Sequence, residues 1–265
     1  MIRKIYNLIP LVLQKRLKLK YYNFRIKGFS FSLEKDIYCS TDNKRWKIFT
    51  YTPLYFIVKD VNRYEHFYKV SKGDLVIDAG ANEGILTLIY SKKVASSGKV
   101  YAFEPDKINI KTFCNNLSLN KNTSNIRLLE KGLWDKTDTI DFYEAGTVGS
   151  SVFYQDEKSV KKFISVISID DFVASEKINK LDFIKMDIEG AEIKALEGAR
   201  NTIISLKPHF TIASYHIVEN EVTHKKVEEF FAEMNYPYKT IFYMDGEIIT
   251  YAGPTLNGIQ NKDID

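Results

Sequence analysis

Leu75-Val76-Ile77-Asp78-Ala79-Gly80-Ala81-Asn82-Glu83-Gly84 carries an apolar strand into a turn of small residues, and Ile85, Leu86, Leu88 and Ile89 continue it as a helix. Gly80 and Gly84 lack a Cβ, so the backbone can turn sharply there and approach a ligand closely. The helix that follows offers unpaired N–H groups and the positive end of its dipole. Twenty residues beyond Gly84, Glu104 ends a second strand, Lys99-Val100-Tyr101-Ala102-Phe103. An acid at that spacing in a strand–helix–strand unit is placed to accept hydrogen bonds from both hydroxyls of a ribose. The ligand expected is an adenosine derivative.

The spacing of the glycines narrows the choice. A dinucleotide site needs G-x-G-x-x-G, whereas here Gly80-x-Asn82-x-Gly84 follows an acid, Asp78. A phosphate-binding P-loop would need Lys-Ser or Lys-Thr after the glycines, and neither is present. Asp78 and Glu104 in one crevice would repel a polyphosphate but complement an amino group and a sulfonium cation. S-adenosylmethionine carries both. Gly132, in Glu130-Lys131-Gly132 at the end of a third strand, is positioned for a backbone amide to reach the adenine ring.

Five blocks extend this pattern along the chain: Lys72 to Gly84, Gly98 to Pro105, Asn116 with Leu119-Asn120, Leu181-Asp182-Phe183-Ile184-Lys185-Met186-Asp187-Ile188-Glu189-Gly190-Ala191-Glu192, and Ser214-Tyr215-His216. In order and spacing they resemble the FkbM family of S-adenosylmethionine-dependent methyltransferases, over roughly residues 70 to 216. The last block departs from the family, where many members have an acid and a hydrophobe before the His. The resemblance implies a Rossmann-like class I methyltransferase fold of the α/β class. Its seven-stranded, mostly parallel sheet would end in a C-terminal antiparallel hairpin behind an N-terminal cap. It also implies that Asp78 lies near the methionine part of the cofactor. The expected cofactor residues are Asp78, Gly80, Asn82, Gly84, Glu104, Gly132 and Asp187.

The pattern outside the motifs agrees with that class. Strands are expected at Leu75–Ala79, Lys99–Phe103, Ile126–Glu130, Phe183–Met186 and Phe210–Ala213, alternating with helix-period segments. One helix is expected over Ala191–Leu206 and another over Glu221–Met234. Two strands, Thr240–Tyr243 and Glu247–Tyr251, flank the hairpin turn signal Asp245-Gly246. Residues 138–168 hold Gly146-Thr147-Val148-Gly149-Ser150-Ser151 between two strand-like runs, expected as a mobile loop beside the site. Residues 1–69 read as a basic segment followed by an aromatic cap, and residues 70–265 as the methyltransferase domain.

With 265 residues, 45% of them apolar, the chain can bury a large core, which excludes a disordered protein. Cys39 and Cys114 lack metal-type spacing and read as plain buried thiols in a reducing cytoplasm. No apolar run approaches the ~20 residues that span a bilayer, and no leader pattern precedes the fold, so a soluble cytoplasmic protein is expected. Charge is unevenly placed. The first 33 residues carry eight cations and no acid, so with +4 overall the remainder carries about −4. Residues 1–27 read first as a segment that packs an apolar face on the domain while its cations stay solvated, with contact to an anionic membrane surface as the alternative. Pro10 interrupts any single helix there.

Acceptor chemistry is expected at the carboxyl ends of the fourth and fifth strands, where open α/β sheets bind ligands. Asp187 and His216 are the candidate catalytic residues, either one serving as the base that takes a hydroxyl proton. A magnesium ion on Asp187 with Glu189 or Glu192 is the second route. Glu189 and Glu192 are also explained as dipole-favoured acids in a helical first turn. His209 and His224 read as structural, and His66 beside Glu65 as a remote acceptor contact. The absence of an Asn-Pro-Pro-Tyr or Asp-Pro-Pro-Tyr element favours an oxygen acceptor, a hydroxyl of a sugar, glycan or other small molecule. The rival readings are an RNA methyltransferase, disfavoured by the near-neutral catalytic part, and a cofactor-binding protein without turnover.

Overall fold

The computed structural model describes residues 10–43, 46–144 and 160–257. Pro10 stands just before helix α1 (Leu11–Arg25), where a residue without an N–H costs nothing. Three antiparallel strands follow, β1 (Phe29–Glu34), β2 (Ile37–Asp42) and β3 (Trp46–Thr50). A 3₁₀ turn, Leu54–Phe56, leads into helix α2 (Val58–Tyr64). The aromatic content of this cap is structural. Phe31, Tyr38, Ile48, Leu54 and Tyr55 share a core with Leu19 of α1 and with Ile85, Leu88 and Ile89 of the helix after the glycine turn. The cap and the nucleotide fold are therefore fused through that helix, α3 (Ile85–Val94).

The main sheet begins with β4 (Leu75–Ala79), which lies parallel to β5 (Lys99–Phe103). Helix α4 (Lys107–Ser118) then leads to the edge strand β6 (Ile126–Leu129). A small second sheet is built from β7 (Gly132–Leu133), β8 (Asp138–Glu144) and β9 (Val160–Ile167), with β8 and β9 antiparallel. The Gly146–Ser151 run, expected as a mobile loop, lies outside the described residues. Helix α5 (Ile169–Ser175) returns the chain to β10 (Phe183–Met186), which is parallel to β4 on the side opposite β5. The connection order therefore reverses at β4, which opens a ligand crevice at its carboxyl end.

The segment expected as one helix from Ala191 to Leu206 is two, α6 (Glu192–Glu197) and α7 (Arg200–Leu206). The break follows from packing. Gly198 runs so close to the Trp134 carbonyl oxygen that a Cβ would lie 2.3 Å from it. Beyond β11 (His209–Ala213) come two short strands, β12 (Ile217–Val218) and β13 (Glu221–Val222), then helix α8 (His224–Glu233). The final hairpin is β14 (Tyr238–Phe242) and β15 (Ile248–Ala252). Its second strand inserts antiparallel between β11 and β14, completing seven strands in the order β14-β15-β11-β10-β4-β5-β6.

Side chains alternate across the sheet. Ile77, Ala79, Ile184, Met186, Phe210 and Ile212 pack under α5 to α8, while Val76, Val100 and Phe183 pack against Tyr90 and Val94 of α3. No helix among the described residues is long and apolar enough to cross a membrane. Cys39 is half-buried, but Cys114 is exposed on α4, contrary to the buried thiol expected, because it falls on the solvent side of that helix.

The glycine turn has no room for side chains. Gly80 (φ +73°) faces the Asp187 carbonyl oxygen, 1.8 Å from where a Cβ would sit, and Gly84 (φ +77°) faces the Phe113 ring at 2.3 Å. Gly246, also at positive φ, meets nothing within 4 Å. Gly80→Ala should destabilise the fold by about 3 kcal/mol or more in urea unfolding, since strain and a backbone clash combine. Gly246→Ala should cost only about 1 kcal/mol, the conformational part alone. Equal costs would mean that the approach of Gly80 to Asp187 is looser than described.

Candidate active site

The turn is fastened to β5 by its own amides. Gly80 and Ala81 both donate to the Phe103 carbonyl, and Asn82, held at φ +49°, donates its N–H to Glu104 Oε2 at 2.8 Å. Glu104 Oε1 accepts from the Asp106 amide at 2.9 Å, and Asp106 in turn caps α4 by accepting from Ile108 and Asn109 amides. The carboxylate at position 104 is thus fixed beside the turn, and each oxygen retains acceptor capacity for a ribose hydroxyl. Burial raises its pKa to about 7 despite the amide donors that oppose the shift. Asn116 and Asn120, part of the family pattern, serve the cap: they pair with the backbone of Tyr51 and Phe49, and Asn116 also donates to the Glu83 carbonyl.

Asp78 does not reach the crevice, a correction to the expected direct cofactor contact. It is fully buried, with Oδ2 accepting from Thr87 and Oδ1 3.3 Å from Lys185 Nζ. Lys185 is its register partner on β10 and also donates to the carbonyls of Ala79 and Gly80 at 3.0 and 2.8 Å. The pair therefore holds the glycine turn from beneath. The same register continues into Thr211 and Tyr251, giving a polar row across four strands on one buried face. Thr211 donates to the Tyr64 carbonyl and Tyr251 to that of Arg63, which fastens the last turn of α2 to the sheet. Docked in this way, Tyr64 lays its ring over Lys185 and donates its hydroxyl to Asp187 Oδ2 at 2.9 Å.

Asp187, Glu189, Glu192 and His216 converge where β10 and β11 end. Fully buried Glu192 accepts from the amides of Ile188 and Gly190 and meets His216 Nδ1 at 3.1 Å. The other ring nitrogen, Nε2, lies 3.5 Å from both Asp187 Oδ1 and Glu189 Oε2. Burial by itself would lower the His216 pKa, but Glu192, Asp187 and Glu189 outweigh it and carry it to about 9. Burial raises Glu189 to about 7, opposed by His216. Glu189 also holds a left-handed backbone (φ +55°), a costly conformation for a non-glycine residue. Asp187 Oδ1 makes no hydrogen bond. Single atoms of Asp187, Glu189 and His216 lie within 4.8 Å of one another, a spacing that can take a metal ion.

Gly132 sits in β7, just past the end of β6 and opposite Val166, where a Cβ would meet Val166 at 3.2 Å. Glu65 turns away to pair with Lys93 at 2.5 Å, and His66 packs on Phe67 and Tyr251. His209, expected to be structural, stacks on Tyr68, and His224 packs on Phe242. Two residues of the centre carry little signal in the sequence. Tyr64 is one aromatic among many in the cap. Lys185 belongs to the fourth block of the pattern, but its role shows there only as a lysine inside a strand otherwise apolar.

A family model described as the methyltransferase FkbM domain matches residues 78–238, more than half of the chain. The chain belongs to the FkbM methyltransferase family. That places it among S-adenosylmethionine-dependent methyltransferases. Methyltransferase sdnD of Sordaria araneosa is 25% identical over 177 residues, covering 54% of this chain and 68% of that protein. The hexuronic acid methyltransferase AglP of Haloferax volcanii is 27% identical over 148 residues, covering 56% and 58%. A crystal structure of an FkbM methyltransferase from Methylobacillus flagellatus shares the fold with a TM-score of 0.53 at 24% identity, covering 72% of this chain. The chain spans about half of that solved relative (47%).

Glu104→Ala should weaken S-adenosylmethionine binding by about 1.5–3 kcal/mol in calorimetry, the range for a hydrogen bond to a charged group. The ribose needs the ionised carboxylate, whereas the empty site holds a proton below about pH 7. Binding must then release that proton. Affinity should fall by up to about tenfold per pH unit as the pH drops below 7, with a binding heat that depends on the buffer. Affinity unchanged between pH 7 and pH 5 would contradict the ribose role.

Proposed function

We propose that the chain transfers the methyl group of S-adenosylmethionine to a hydroxyl oxygen of a sugar, glycan or other small molecule, with Asp187 and His216 as its catalytic residues. The observation that carries this reading is the meeting of Gly80 with Asp187. Their contact sets the cofactor turn directly against the acid and histidine centre. In the transfer, the acceptor oxygen bonds to the methyl carbon as the sulfur–methyl bond breaks. The hydroxyl proton passes to Asp187, leaving a methyl ether and S-adenosylhomocysteine. Alignment of oxygen, carbon and sulfur supplies much of the acceleration. Tyr64 orients Asp187 through Oδ2 and leaves Oδ1 free for the proton. His216, cationic below about pH 9, holds the three acids together.

An oxygen acceptor is supported by the sequence Asp187-Ile188-Glu189-Gly190 after the fourth parallel strand, where a Pro-Pro-Tyr element for exocyclic nitrogen is lacking. A sugar acceptor is supported by the relative named as a hexuronic acid methyltransferase. A second reading rests on the spacing of Asp187, Glu189 and His216, with Asp187 Oδ2 held by Tyr64 and His216 Nδ1 facing Glu192. In it these three side chains bind Mg²⁺, which would acidify the acceptor hydroxyl.

Label transfer from methyl-labelled cofactor to fractionated extract, followed by a panel of sugars, identifies the acceptor. On that acceptor, His216→Ala and Asp187→Asn should each lower kcat by about 10²–10⁴ while cofactor affinity persists. The rate should not rise between pH 7 and 9. A tenfold rise per pH unit up to about 9 would make neutral His216 the base. Loss of activity with chelator, restored by magnesium, would decide for the metal reading. Label found only in RNA, or in nothing, would overturn the proposal.

A further inference from the structure

Helix α1 has two apolar faces. One packs on the domain: Leu19 is buried, Tyr22 stacks on Tyr55 with ring centroids 4.1 Å apart, and Ile26 joins the same core. The rotation of the helix is fixed further by Asn23, whose amide pairs with both backbone groups of Phe31, and by Lys15 on Asp36. At about 100° per residue, Leu13, Leu17, Tyr21 and Phe24 then form a stripe on the opposite side. They are exposed by 47, 42, 56 and 85%.

A solvated surface helix carries polar residues on that side. Here polar residues form only the margins: exposed Arg16 and Lys20 along one edge, exposed Lys18 and Arg25 along the other. No acid lies on the helix. We propose that this face of α1 docks in the plane of an anionic lipid bilayer, with Leu13, Leu17, Tyr21 and Phe24 in the acyl boundary and the flanking cations on lipid headgroups. Charge complementarity selects that occupant. A second copy of the helix would set cations against cations on both edges, and a nucleic acid would leave the aliphatic stripe unused. The 15-residue helix is too short to span and lies flat. Because the chain beyond residue 33 is net negative, an anionic surface repels it elsewhere and orients it through α1.

The test is co-sedimentation of the full chain with vesicles of phosphatidylcholine alone or mixed with phosphatidylglycerol. Binding is expected to the mixed vesicles only, and to weaken with salt. The double variants Leu17→Gln/Phe24→Gln and Arg16→Gln/Lys20→Gln should each lose about tenfold or more in partitioning. Their melting temperature and cofactor affinity should stay unchanged, since none of the four residues packs in the core. Failure of the unaltered chain to bind mixed vesicles would overturn the proposal, as would equal binding by both variants. Concentration-dependent dimerisation abolished by Leu17→Gln/Phe24→Gln, without vesicle binding, would assign the stripe to a second copy.

Discussion

Lys185 is a charge in the interior of a parallel sheet, and the site is organised around the need to satisfy it. An isolated buried ammonium would lose its proton or unfold its surroundings. Here it stands beside Asp78 in register and donates to two carbonyls at the end of β4. Those carbonyls belong to Ala79 and Gly80, so the demands of one lysine dictate the path by which the strand enters its turn. Its neighbour across β11, Thr211, takes the end of α2, and α2 brings Tyr64 to Asp187. The glycine turn, the cap and Asp187 are thereby joined through one polar row.

The second constraint is charge at the carboxyl ends. Three acids gather around one imidazole with little access to water, and a neutral His216 would leave them to repel one another. The raised pKa of His216 is the expression of that pressure, whereas the upward shift of Glu189 comes first from burial. Glu192, committed to amides and to Nδ1, positions the ring so that Nε2 faces Asp187 and Glu189.

Local signals made much of this legible. Glycines and a spaced acid marked the turn that Glu104 fastens, and apolar runs bounded β4, β5 and β10 to the residue. What stayed hidden depends on pairing between distant strands. Asp78 reads as a cofactor acid because its place opposite Lys185 is a matter of register, which no single segment encodes. Tyr64 is selected by the docking of α2, and Gly198 breaks a helix because the Trp134 carbonyl passes there. The stripe on α1 is likewise invisible until the packed face is known, because both faces are apolar.

The claim that one buried lysine holds the cofactor turn is tested most directly by titrating S-adenosylmethionine into Lys185→Met, at a temperature where circular dichroism reports a folded chain. The substitution removes the donor to Ala79 and Gly80 and the cation beside Asp78, yet Lys185 is not itself among the expected cofactor residues. Affinity should fall by about tenfold or more, equivalent to about 1.4 kcal/mol, because the turn relaxes. Affinity equal to that of the unaltered chain would contradict the account.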